Sequence, residues 1–388
     1  MKILLVSLFL VLFFLSSCTG GVPTTMELDS TELSAAFTRM AGTLPPAAAL
    51  SPAATYAPVE TVGPALPARL TATIEVPKVS EEVIAPINAQ ALEVSAQVSQ
   101  AGANSFIWLP TGQGIVLTTE NGLALYNRGA AAQAVGLVQA ERPFNLVFSA
   151  PLEALAWTGR DHSIYVWSLP EQRMLQTIAN TQGAVTSLAF SPQTGRLAAA
   201  TGEGQLQIWD ASSGNLVSQW RLPGWITNLA FSPDGRLLGG ADPANFLVHL
   251  LDASTGQLVR SLEWKEHASP ALYGAYFSPD WSRVAWASRA TIHIASAAAQ
   301  EQGLDLLHED FVSAVSWSPD GQMLASAAAA TINGSFQPAV ILWEAVTGRQ
   351  VGVFAQPGAV LSLSFSADGR ELAVLLNGGS LNILQVGQ

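Results

Sequence analysis

Cysteine is almost missing from this chain: one residue in 388, Cys18. A lone thiol excludes an intrachain disulfide, so no covalent staple holds the fold. Cations are scarce as well. Seventeen Lys and Arg face 29 Asp and Glu, a net charge of −12. Nucleic-acid binding needs Lys and Arg to neutralise phosphates, so that class is set aside. The five histidines, at 162, 249, 267, 293 and 308, include no two at metal-ligand spacing. The Gly-x-Ser-x-Gly elbow, the P-loop and the dinucleotide fingerprint are all lacking. The glycine-rich "GEGQ" (202–205) reads as a hairpin turn. No metal, no cofactor and no catalytic residue is expected.

What is present begins at the amino terminus. Lys2 is followed by an apolar run, "ILLVSLFLVLFFL" (3–15), and then by "LSSCTGG". A run of thirteen residues is short for a bilayer span and suits a signal-peptide core. Leu15-Ser16-Ser17-Cys18 resembles a bacterial lipobox, which implies lipidation at Cys18 and a signal peptide over 1–17. Such a chain is anchored to a membrane without crossing it. It is expected outside the cytoplasm, at a cell surface or in a periplasm. Residues 18–90 read as a tether. Between Thr43 and Gln90, eight prolines (45, 46, 52, 58, 64, 67, 77 and 86) oppose helix and sheet and favour extended segments. One short helix over 30–41 is expected within it, from Asp29 with Glu32 at its start and Gly42 as its stop.

From residue 91 the chain repeats itself. "LAFSPDGRLLGG" (229–240) has counterparts in "LAFSPQTGRLAAA" (188–200), "AYFSPDWSRVAWA" (275–287), "VSWSPDGQMLASA" (315–327) and "LSFSADGRELAVL" (363–375). The aromatic before each turn marks seven units: Trp108, Phe148, Phe190, Phe231, Phe277, Trp317 and Phe365. Each unit opens with an alternating strand such as "VTSLAFS" (185–191). Ser-Pro-Asp-Gly then turns the chain, because proline presets φ and glycine accepts the left-handed conformation. A small-residue strand, a polar turn, a third strand ending in an aromatic and a fourth strand complete the unit. Four antiparallel strands repeated at this period describe a propeller blade.

The last unit stops after its third strand ("SLNILQVGQ", 380–388). An orphan strand precedes the first, and from Val94 it aligns without a gap on 217–235. The expected fold is therefore all-β. It is a seven-bladed propeller over 91–388, closed by residues 92–99 in the last blade, which removes exposed sheet edges.

The units resemble those of the WD-repeat β-propeller family. Trp209-Asp210 matches the signature dipeptide, and Val166-Trp167 and Leu342-Trp343-Glu344 match it in part. The Gly-His pair of the family is replaced by "QGA" (182–184), "PGW" (223–225) and "PGA" (357–359). That implies the loss of most of the family's His–Ser/Thr–Asp–Trp hydrogen bonding, as in degenerate bacterial propellers. Trp108, Trp167, Trp209, Trp317 and Trp343 fall at strand ends and are expected to pack inside.

In this family, the loops entering the first strand and joining the second to the third form the face most used for partners. Placed on it are Arg142, Arg160, His162, Glu203, Trp225, Asn245, His267, Arg289, Phe311 and Phe336. Loop 328–338 is the longest of its kind and the expected specialised element. The reading is a monomeric, non-catalytic scaffold that binds a protein partner. A propeller enzyme of lactonase, glycosidase or quinoprotein type needs convergent acids, a histidine set or a cofactor cage. A small-ligand or glycan sensor needs exposed aromatics.

Overall fold

The computed structural model describes residues 82–109, 114–127, 136–179, 183–222, 224–263, 274–298 and 303–387. The expected signal peptide, Cys18 and helix 30–41 lie outside them, as does His267.

Strand β1 (Leu92–Ser99) comes first. Blade 1 holds β2 (Ser105–Leu109), β3 (Gly114–Thr119), β4 (Gly122–Asn127) and β5 (Gly136–Gln139). Blade 2 holds β6 (Phe144–Ser149), β7 (Ala154–Thr158), β8 (Ile164–Ser168) and β9 (Arg173–Ile178). Blade 3 holds β10 (Val185–Phe190), β11 (Arg196–Thr201), β12 (Gln205–Asp210) and β13 (Asn215–Arg221). Blade 4 holds β14 (Thr227–Phe231), β15 (Leu237–Asp242), β16 (Leu247–Asp252) and β17 (Leu258–Glu263). Blade 5 holds β18 (Ala275–Phe277), β19 (Arg283–Ser288), β20 (Thr291–Ser296) and β21 (Leu304–Leu307). Blade 6 holds β22 (Ala314–Trp317), β23 (Met323–Ile332), β24 (Ser335–Glu344) and β25 (Gln350–Ala355). Blade 7 holds β26 (Val360–Phe365), β27 (Glu371–Leu376) and β28 (Ser380–Val386), and its fourth strand is β1.

Each blade is one four-stranded antiparallel sheet, and all seven aromatic anchors lie on innermost strands. Neighbouring innermost strands touch in turn, and β26 touches β2, so the ring is shut. β1 pairs with β28 from Leu92↔Val386 to Ser99↔Ser380, as the gapless alignment predicts.

The ring has no common core. Seven hydrophobic clusters each draw on two neighbouring blades. Alanines of the second strands, such as Ala198, Ala199 and Ala200, are fully buried and let the sheets approach. Polar links cross the same seams near the hub. Asn145 Nδ2 donates to Val185 O (3.1 Å), Thr186 Oγ1 to Ile226 O (2.6 Å) and Ser313 Oγ to Val360 O (2.9 Å). Trp108 Nε1 donates to Ser364 O and Trp317 Nε1 to Tyr276 O. Of the tryptophans expected inside, Trp317 and Trp343 are buried, while Trp108, Trp167 and Trp209 are half-buried.

The repeated turn is a small hydrogen-bonded device. Ser232 Oγ donates to Asp234 Oδ1 (2.6 Å), Leu237 N donates to Ser232 Oγ (2.9 Å), and Arg236 N to Asp234 Oδ1 (3.0 Å). Ser278 with Asp280, Ser318 with Asp320 and Ser366 with Asp368 repeat it. The hydroxyl of Ser278 holds the Asp280 carboxyl down at about 2. Proline and glycine alone would turn the chain; the serine and aspartate lock it.

Packing begins before the expected boundary at residue 91. Ile84 and Ala89 are buried among residues of blades 6 and 7. Ile84 N donates to Gly369 O (2.9 Å). Residues 82–90 read as tether because Pro86 continues the proline-punctuated stretch before them, yet Ile84 and Ala89 seat the segment at a blade seam. Loop 328–338 is not a loop either. β23 and β24 continue as a ladder to Ile332↔Ser335, and Asn333-Gly334 makes a two-residue turn.

Ile84 is 1% exposed and Ile87 95%. Ile84→Ala is expected to destabilise the propeller by roughly 2–5 kcal/mol, as for other buried large-to-small changes. Ile87→Ala is expected to leave it unchanged. Chemical denaturation of the two variants checks both.

Candidate functional site

The connections from fourth to first strands and from second to third strands form one end of the ring, called here the loop face. All nine described candidates lie in such connections or in the hairpin that extends one of them. Arg142 and its neighbour Glu120 form a surface ion pair of 3.1 Å. Arg160 and His162 are exposed in the β7–β8 turn. Asp161 between them is a brace: Tyr165 OH donates to it (2.8 Å), and so does Ser163 N. Burial and this carboxylate push the Tyr165 hydroxyl up to about 12. Glu203 is exposed in the β11–β12 turn, and Trp225 is half-buried before β14. Asn245 is exposed, but its Nδ2 donates to Asp242 (2.7 Å), so it caps its own turn. Arg289 is exposed between β19 and β20.

Phe311 and Phe336 are 61% and 60% exposed. The structure joins their segments. Glu309 accepts from Thr331 N (3.1 Å) and Thr331 Oγ1 (2.7 Å), and Thr331 faces Phe336 across the hairpin. Two further exposed apolar residues, Phe144 and Leu361, mark the same end of β6 and β26. Sequence reading passed over them because each belongs to an alternating strand. Their exposure depends on a bulge at the strand start.

The loop face also carries strain. Arg142, His162 and Arg289 hold φ of 43°, 63° and 54°. Left-handed backbone costs a non-glycine residue of order 1 kcal/mol or more, and such residues gather at functional sites.

Two histidine networks escaped the sequence reading. In blade 6, Trp343 Nε1 donates to Ser326 Oγ (2.8 Å), and Ser326 Oγ lies 2.8 Å from His308 Nε2. His308 Nδ1 donates to Leu306 O (3.1 Å). This is a piece of the network whose loss the missing Gly-His pairs imply. The signal was His308 itself, nine positions before the anchor Trp317. The network fixes the loop that carries Phe311.

In blade 4, His249 Nδ1 lies 2.9 Å from Ser261 Oγ, and His249 Nε2 lies 3.4 Å from Asp242 Oδ2. The connectivity is that of a nucleophile, a base and its orienting acid. Position argues for a brace. Ser261 sits opposite His249 in the β16–β17 ladder, and Asp242 is fully buried. Burial pushes the Asp242 carboxyl up, but His249 and Asn245 outweigh it and hold it below its usual value. The cluster binds three strands of one blade together.

Burial lowers the His308 imidazole to about 4. The unfolded chain protonates this residue below about pH 6.5 and the native state only near 4, so stability is full above 6.5 and is lost as pH falls between the two. The loss reaches on the order of 3 kcal/mol by pH 4. His308→Gln is expected to flatten denaturation midpoints across that window. The turn aspartates act lower: Asp252 and Asp280 titrate at about 2, so their contribution disappears only as pH falls below 3.8.

Two family models match the chain. Residues 146–224, blades 2 and 3, match the WD40 domain of anaphase-promoting complex subunit 4. Residues 306–334, which hold His308 and Ser326, match the WD domain, G-beta repeat. Among curated proteins, the periodic tryptophan protein 2 homolog of Schizosaccharomyces pombe is 34% identical over 74 residues, 19% of this chain and 9% of that protein. Eukaryotic translation initiation factor 3 subunit I of Scheffersomyces stipitis is 32% identical over 84 residues, 21% of this chain and 24% of that one. The same subunit of Neosartorya fischeri is 29% identical over 121 residues, 30% and 36% of the two chains. The matches thus span about a third or less of these eukaryotic relatives' own length. With seven four-stranded blades and these matched stretches, the chain carries WD40-family repeats in a seven-bladed β-propeller.

Proposed function

We propose that the protein is a non-catalytic scaffold that binds a protein partner through its loop face. The observation that carries this reading is the joined pair of segments around Phe311 and Phe336. Two large aromatics stand in water on a hairpin of two ten-residue strands and a braced loop, where hot-spot energetics favour them. Arg142, His162 and Arg289, all exposed, extend the surface over blades 1, 2 and 5. The fold alone would not assign a function. The relatives' names include a subunit of a translation initiation factor, and assembly into a complex suits the same reading here.

The protein is placed outside the cytoplasm of a bacterial cell, lipid-anchored at Cys18, with residues up to the propeller as its spacer. The lipobox-like "LSSC" after an apolar run supports this. The propeller acts as a monomer on its anchor.

Full-length protein and a Phe311→Ala/Phe336→Ala variant, each captured from native membranes, test the face. The variant is expected to lose its partner by roughly 30-fold or more, the loss of one hot spot. An unchanged partner set overturns the face. Cys18→Ser is expected to move the protein from the detergent phase to the aqueous phase; equal partition of both forms overturns the anchor.

A further inference from the structure

At the opposite end of the ring, the Ser-x-Asp-Gly turns repeat one design, so the clefts between blades there can be compared with one another. Between blades 5 and 6 the cleft is closed by Arg283. Its Nη1 donates to Ala345 O (2.8 Å) and its Nη2 to Gly321 O (2.6 Å). Its guanidinium carbon lies 5.0 Å from the centre of the Trp317 ring. Between blades 6 and 7 the occupant is main chain: Ile84 N donates to Gly369 O, the carbonyl equivalent to that of Gly321. Between blades 4 and 5, Trp281 stacks on Phe277 with ring centres 4.2 Å apart. Between blades 2 and 3, Leu152 lies against Gly195.

Blades 3 and 4 differ. Gln193 Nε2 crosses their cleft to Pro233 O (2.8 Å), and beside that contact a cavity of about 300 Å³ stays open. Arg196, Phe231, Gly235 and Ala253 line it, with Asp234 and Asp252 at its rim. These are the counterparts of the closed cleft between blades 5 and 6. Arg196 and Arg283 each open the second strand of their blade and pair with the last residue of the third strand. Phe231, Gly235 and Ala253 stand where Trp317, Gly321 and Ala345 stand. Yet Arg196 is exposed, and among the described residues its guanidinium has no hydrogen-bond partner. The fittings of a guanidinium slot are present, and the resident arginine lines the cavity without bonding to them.

We propose that the cleft between blades 3 and 4 receives an arginine side chain presented by a protein partner. A planar guanidinium stacks on an aromatic face and forks to two carbonyls, which a compact ammonium does less well. Gly235 O and Ala253 O supply the carbonyls and Phe231 the face. The carboxylates of Asp234 and Asp252 offset the charges of Arg196 and Arg236 at the rim, so the slot does not repel a cation. The site lies on the other end of the ring from Phe311 and Phe336, and its test leaves the reading of that face untouched.

Alanine methyl NMR on the full-length chain tests it, with Nα-acetylarginine amide as the probe and Nα-acetylglutamine amide as the uncharged control. The arginine probe is expected to shift the Ala253 methyl with saturation in the millimolar range. The Ala345 methyl, behind Arg283, stays in place, and the glutamine probe moves neither. Arg196→Ala is expected to keep the Ala253 response at the same or a lower probe concentration. Absence of an Ala253 shift in the unsubstituted protein overturns the proposal. So does a shift that appears only in Arg196→Ala, because Arg196 then fills its own cleft in solution.

Discussion

The pairing of β1 with β28 is the constraint on which the rest of the ring depends. Each blade buries its faces on its neighbours, and the clusters at the seams share no central core. A ring of pairwise seams holds only if it is shut. β1 shuts it with a ladder seven pairs long, and it also places Leu92 in the seam of blades 6 and 7 and Val98 in the seam of blades 7 and 1. One bond in this seam, from Ser95 Oγ to Ile383 O, joins residues 288 positions apart. Loop-closure entropy grows only with the logarithm of that distance, so a few buried side chains and a ladder offset it. A chain without a disulfide closes this way by noncovalent means alone.

Much of this was legible in the sequence for a local reason. The turn in each unit is built from residues within six positions of one another, Ser232 to Leu237 for example, so its signature survives in the text. The anchors are legible because strand alternation exposes them. The missing fourth strand of the last unit and the orphan before the first are a matter of counting. What was not legible depends on partners far along the chain. Ile84 looks like any residue of a proline-rich stretch until the glycine carbonyl of residue 369 is beside it. "AAATINGSFQP" reads as loop because alanine and glycine are weak strand formers, and pairing with the opposite strand overrides that preference.

The candidate site divides along the same line. Which connections hold Arg142, His162, Arg289, Phe311 and Phe336 follows from the repeat, so the face was legible. What each side chain does there was not. Asn245 turned out to cap its own turn, and Trp225 is half-buried, because both outcomes rest on atoms the sequence does not place side by side. His308 shows the opposite case. The residue types of its network were visible one by one, at 308, 326 and 343, but only a folded blade brings them within 3 Å.

The two ends of the ring obey different rules, and that difference is informative. At one end, the same serine and aspartate recur in four blades and make the same bonds, which is what a purely structural requirement produces. At the other the connections vary, and non-glycine residues with positive φ occur at both ends: Arg142, His162 and Arg289 here, Glu153, Gln172 and Trp281 among the regular turns. Backbone strain therefore does not single out the loop face; its exposed aromatics, Phe144, Phe311 and Phe336, do. Repetition at the regular end makes the cleft between blades 3 and 4 stand out. Where repetition is the rule, four clefts fill themselves with arginine, main chain, tryptophan or leucine, and one with matching fittings is crossed by Gln193 alone and keeps an open cavity. The departure is visible because the matching slot at Arg283 shows how the ring fills the same space from within.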